Sequence, residues 1–148
     1  MIIDVETFEK SYQDARAYHF RAEQFLQEGQ RHSLVFNVAS VALEQYLVAL
    51  CELNGDPPAN HDFEHLVDVA EQHVEFPEEL NKKIRYLDEI FGICSIENYH
   101  HKIPLQSDSE QTLNICNEIY KLFDQSKIQS IRLAYKKQEE KSPFLRIA

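Results

Sequence analysis

Apolar residues recur along this chain at intervals of three and four, the period of an amphipathic α-helix. In the first segment Phe8, Tyr12, Ala15, His19, Ala22 and Leu26 form one stripe, and Glu9, Asp14, Arg16, Glu23 and Glu28 fall mostly off it. Gly29 is placed to cap that helix, since glycine adopts the left-handed conformation without penalty. The next segment, about His32 to Asn54, is apolar nearly all round, with Val35, Ala39, Ala42, Tyr46, Ala49 and Leu53 flanked by Leu34, Val38, Val41, Leu43, Leu47 and Leu50. So little polar surface predicts a central helix buried on most sides. Asn54-Gly55-Asp56-Pro57-Pro58 stops it, because two prolines cannot continue the hydrogen-bond ladder.

A third, shorter helix is expected from about Asp62 to His73, with Phe63, Leu66, Val67 and Ala70 inward and Asp62 or Asn60 as N-cap. Pro77 suits the first turn of a fourth helix, where Glu78 and Glu79 meet the helix dipole. Leu80, Ile84, Leu87, Phe91 and Cys94 carry its stripe. Gly92 costs that helix about 1 kcal/mol of propensity and marks close packing or a kink. The stretch from Glu97 to Pro104 breaks the period and reads as a structured loop. Ser107 with Glu110 has the S-x-x-E form of a capping box and predicts the start of the next helix, with Leu113, Cys116, Tyr120 and Phe123 inward. After Gln125 the phase slips to Ile128, Ile131 and Tyr135, which predicts a kink or a tail packed outside the main core. Short connections favour antiparallel neighbours. The expected fold class is all-α: an up-and-down bundle of four long helices plus one short one, with a helical C-terminal tail. The whole chain reads as a single domain, with the bundle over about 5–125 and a basic tail over 126–148.

Charge changes the picture more than composition does. The 148 residues carry 25 acidic and 15 basic side chains, a net charge of −10. The imbalance is uneven: residues 1–120 hold 22 acidic and 8 basic groups, and residues 121–148 hold 3 and 7. An acidic body repels phosphate backbones, so nucleic acid is a weak candidate partner that would need a local basic feature such as the tail. Three glycines leave no phosphate-cradling G-x-x-x-x-G-K-S/T loop, no G-x-G-x-x-G turn and no G-x-S-x-G elbow. No apolar run approaches the roughly 18 residues of a membrane span, and no membrane partner is expected. The N-terminus has no basic and apolar leader pattern, and Cys51, Cys94 and Cys116 are widely spaced. Both features fit reduced thiols in the cytoplasm.

Candidate chemistry gathers in two places. Asn37, Ser40 and Glu44 form a polar stripe at helical spacing on the apolar central helix. A buried carboxylate needs a partner, so Glu44 requires a cation, a histidine, a second chain or a ligand. The loop Asn98, Tyr99, His100, His101 and Lys102 places an amide, a phenol, two imidazoles and an ammonium within five residues. Held beside the stripe, this donor set would bind a small anionic ligand or a partner, with Glu44 orienting Lys102 or a histidine. His61 and His65 have a spacing that suits zinc, and Glu97-x-x-His100 is half of a di-iron motif. Neither has a second cluster to complete it, so no metal and no cofactor are expected. Arg132, Lys136, Lys137, Lys141 and Arg146 interleave with Ile131, Leu133, Tyr135, Phe144 and Leu145 in the tail. That pattern fits packing on the acidic body or a second chain, or phosphate contact.

The run Ala39 to Leu50, with Ala42, Glu44, Leu47, Ala49 and Leu50 in an A-x-E-x-x-L-x-A-L pattern, is followed by Gly55, Pro58 and His61-Asp62-Phe63-Glu64-His65-Leu66. This pattern resembles the HEPN domain family. The likeness follows helix order from about Phe8 to Phe123 and is most specific over Ala39 to Leu66. It implies an α-helical bundle, usually a homodimer, with His61 opening a helix. The family includes partners of minimal nucleotidyltransferases and metal-independent endoribonucleases. The ribonucleases depend on an R-x(4–6)-H motif, in which arginine would stabilise phosphate charge and histidine would move protons. Here His100 and His101 stand without that arginine, and the nearest one upstream is Arg85. The resulting expectation is a non-enzymatic, dimeric accessory protein that binds a nucleotidyltransferase-like partner, a small nucleotide or a nucleic-acid ligand. The alternative is an endoribonuclease with a degenerate motif.

Overall fold

The structure is a computed structural model, and it describes residues 2–91 and 104–141. Six helices lie within them: α1 (Val5–Gln27), α2 (His32–Leu53), α3 (Phe63–Ala70), α4 (Glu78–Phe91), α5 (Gln106–Tyr120) and α6 (Gln125–Lys141). No strand occurs among the described residues. The all-α expectation therefore holds, and the tail is a separate sixth helix.

The α1–α2 hairpin is built from local signals. The Asp4 carboxylate accepts the Thr7 N–H at 3.1 Å and opens α1. At the other end Gly29 takes φ +74°, its N–H reaching Leu26 O and the Gln30 N–H reaching Phe25 O. Gly55 (φ +70°) and Asp56 repeat this pattern on the carbonyls of Glu52 and Cys51 at the end of α2. A Cβ on Gly29 would meet nothing within 4 Å. Gly29→Ala should still cost about 1–2 kcal/mol, from backbone strain alone, in a urea melt.

α2 is the central element, as its pattern predicts. It packs against α1, α5 and α3, while α4 bridges α3 and α5. Its richest 18-residue window has a mean hydropathy of 1.7 and is 67% buried inside the protein. Phe8, Tyr12 and Ala15 of α1 meet α2 and α5 in one large core, and Ala22 joins Val35, Ala39 and Leu113 in a smaller one. Leu26 departs from its expected place and is 38% exposed. It lies in the last turn of α1, beside the connection to α2.

Three boundaries differ from the sequence reading. α3 is shorter than Asp62–His73: Asp62 is its N-cap, accepting the His65 N–H at 2.7 Å, and a turn begins after Ala70. Pro77 lies one residue ahead of α4, and its carbonyl accepts the Asn81 N–H. α5 starts before Ser107, with Leu105 as N-cap, and the Asp108 carboxylate accepts the Leu105 N–H at 2.9 Å. Ser107 and Glu110 are therefore exposed residues within the helix and make no capping box.

The phase slip after Gln125 marks a true break. α5 ends at Tyr120, a turn carries Phe123 into the core, and α6 begins anew. Ile128 is buried in the main core, with Ile131 packed against it. Beyond them the tail lies on α1: Arg132 pairs with Glu9, and the Tyr135 hydroxyl donates to Glu6. The tail thus packs on the acidic body, through two of its acidic residues. Arg146, Phe144 and Leu145 lie outside the described residues, as does the stretch with Gly92 and Cys94.

Candidate functional site

The polar stripe of α2 forms one wall of a groove. Asn37, Ser40, Val41 and Glu44 face His61, Asp62 and Phe63 at the start of α3 and Asp88 of α4, around a cavity of about 470 Å³. α3 is pinned there by two carboxylates. Asp62 takes the His65 N–H, and Asp88 reaches across from α4 to accept the N–H groups of Phe63 (3.0 Å) and Glu64 (2.8 Å). Free N–H groups at a helix start attract negative charge, which explains why a carboxylate is held at this depth. Burial pushes the Asp88 carboxyl above the usual range, and the two N–H donors pull it partly back.

Glu44 finds a histidine, but one that sequence reasoning had placed elsewhere. Its Oε2 lies 3.3 Å from His61 Nδ1, tying α2 to the α2–α3 connection. Ser40 is 4% exposed, and its hydroxyl has no hydrogen-bond partner among the described residues. Asn37 is exposed at the rim. The three predicted α2 residues therefore share one site at three depths. The other predicted half, Asn98, Tyr99, His100, His101 and Lys102, lies outside the described residues, as do Glu97 and its half motif.

His61 and His65 do not converge. His65 Nε2 accepts the Ala59 N–H at 3.1 Å, while His61 turns to Glu44. Among the described residues no three His, Cys, Asp or Glu side chains gather as a metal site. Cys51 and Cys116 are buried in the core. Burial pushes the Cys51 thiol up to about 12 and raises that of Cys116 further, which leaves both protonated and unreactive.

Two clusters were not read from the sequence. Arg85 on α4 reaches Asp68 at 2.7 Å, Glu71 at 3.4 Å and Glu64 at 3.6 Å, and its Nε donates to Asn81. Asn81 in turn donates to Glu71. The signal was present: Glu64 and Asp68 of α3 and its C-cap Glu71 recur at helical spacing, and Asn81 and Arg85 are four apart on α4. The second cluster is inside the bundle. The Tyr46 hydroxyl is 2.8 Å from His19 Nδ1, and His19 Nε2 is 3.1 Å from Glu23. Burial raises the Tyr46 phenol, so it stays protonated and shares a hydrogen bond with the imidazole. His19 stood on the apolar stripe with Glu23 one turn on, but its tyrosine partner comes from another helix.

A family model described as the HEPN domain matches residues 8–127. No curated protein and no solved structure matches the chain. The matched region opens at Phe8 in α1, takes in the α2 stripe and the α3 cap that build the groove, and closes at Lys127 in α6, so the chain belongs to the HEPN domain family.

Proposed function

We propose that this chain is a non-catalytic HEPN protein that acts as a homodimer and binds a partner polypeptide, such as a nucleotidyltransferase, through the α2–α3 groove. The observation that carries the non-catalytic reading is the engagement of Arg85. It is the nearest arginine before His100 and His101, and its guanidinium is held by Asp68, Glu71, Glu64 and Asn81. A phosphate stabiliser must be aimed at the reacting group, and losing one such donor typically costs about 100- to 1000-fold in rate. Two-fold dimers are the commonest oligomers, and Phe20, Leu105 and Leu133 are exposed apolar side chains that an interface would cover. The buried, protonated thiols suit a reducing cytoplasm. A nucleic-acid role has less support, because Arg132 is paired with Glu9 and Lys127 donates to Asn54.

The histidine pair favours one second reading, a degenerate ribonuclease. Purified protein free of metal is expected to leave RNA intact and to scatter light as twice the 17.4 kDa chain. Cleavage that His100→Ala or His101→Ala abolishes would establish the ribonuclease instead. A single-chain mass across micromolar concentrations would overturn the dimer.

A further inference from the structure

The groove has a sign. Glu44, Asp62 and Asp88 line it with one imidazole, and among the described residues neither lysine nor arginine lines it. We infer that the groove takes the alkylguanidinium or alkylammonium side chain of an arginine or lysine on the partner polypeptide. This rests on the reading of the groove as the partner site, and it names the chemistry of what enters.

Unused acceptors point the same way. Glu44 gives Oε2 to His61, and Oε1 makes no hydrogen bond among the described residues. Asp62 gives Oδ1 to the His65 N–H and likewise leaves Oδ2. Ser40 lies at the groove floor, 4% exposed, and its hydroxyl has no partner among the described residues. An unpaired buried hydroxyl is costly, and an entering N–H donor would relieve it. A guanidinium offers five donors and no acceptor, which complements the carboxylate oxygens of Glu44 and Asp62. Val41 and Phe63 supply apolar surface for the aliphatic stem, because long basic side chains bury their stems while the head seeks charge. The cavity of about 470 Å³ is on the scale of a small ligand or one large side chain. An anion there would face three carboxylates.

The test uses the full chain and three probes read by chemical-shift titration: N-acetylarginine N-methylamide, agmatine and AMP. The blocked arginine should bind saturably and shift Ser40, Val41, Glu44 and His61, while AMP should not. Glu44→Gln should weaken that binding about 10-fold or more, the usual effect of losing one charged hydrogen-bond partner. Val41→Lys places an ammonium at an already exposed position on the wall, where the fold tolerates it, and should abolish binding. AMP shifting these residues while the arginine probe does not would overturn the cation but leave the groove as a ligand site. Silence from all three probes would overturn both. Agmatine binding without the blocked arginine would overturn the polypeptide source.

Discussion

Tyr46→Ala should destabilise the protein by about 3–5 kcal/mol, the range for deleting a large buried aromatic side chain. The ring is 1% exposed and lies 6.0 Å from Phe123, 6.1 Å from Tyr120 and 5.6 Å from His19, edge-on to the last. Truncation opens a cavity between α1, α2 and α5 and leaves His19 Nδ1 without its hydrogen-bond partner. Tyr46→Phe separates these losses. It keeps the packing and removes the hydroxyl, so it should cost about 1–2 kcal/mol, the size of one buried hydrogen bond. Urea unfolding of both variants measures the difference. A phenylalanine variant as unstable as the alanine one would mean that the His19 bond, and not the ring, holds this part of the core.

Arg85→Ala should cost about 2 kcal/mol at neutral pH, less than a fully buried ion pair because the α3 carboxylates are partly solvated. The arginine side chain itself is only 25% exposed, and Asp68, Glu71 and Glu64 repel one another once it is gone. That repulsion requires ionised carboxylates. The deficit should therefore shrink when salt screens the charges, which thermal melts of variant and parent at low salt and at about 1 M salt would show. Arg85→Lys should recover part of the loss, since one ammonium cannot reproduce a fork that reaches three carboxylates and Asn81 together. A deficit equal at both salt concentrations would assign the effect to lost packing instead.

The helices were legible because their signals are local. The stripe of α1, the apolar girth of α2 and the positive-φ glycines at 29 and 55 each need only a few consecutive residues. Errors arose where local signals compete. Ser107 and Glu110 imitate a capping box, but Asp108 stands three residues after Leu105 and its carboxylate takes the Leu105 N–H, so the helix starts earlier. Leu26 continues the α1 stripe in sequence, yet periodicity does not reveal where the neighbouring helix stops covering it. The candidate site was half legible for the same reason. Asn37, Ser40 and Glu44 share a face by spacing alone. Their opposite wall, His61 with Asp62 and Asp88, depends on how α3 and α4 dock on α2, which the order of residues along one helix does not encode.

The packing of α6 bears on the order in which the molecule assembles and comes apart. Its ties to α1 join residues 113, 123 and 129 positions apart: Gln125 with Tyr12, Arg132 with Glu9, and Tyr135 with Glu6. Closing so long a loop costs entropy before any contact offsets it, so these ties form late in folding. Past Ile128 and Ile131 they are polar and near the surface, where dissolved ions weaken them. The distal half of α6 is thus the first helical segment to open, and α2, buried on most sides, is the last. Such opening frees Glu6 and Glu9 at the start of the chain while the groove, built from α2, α3 and α4, stays closed around its own contacts.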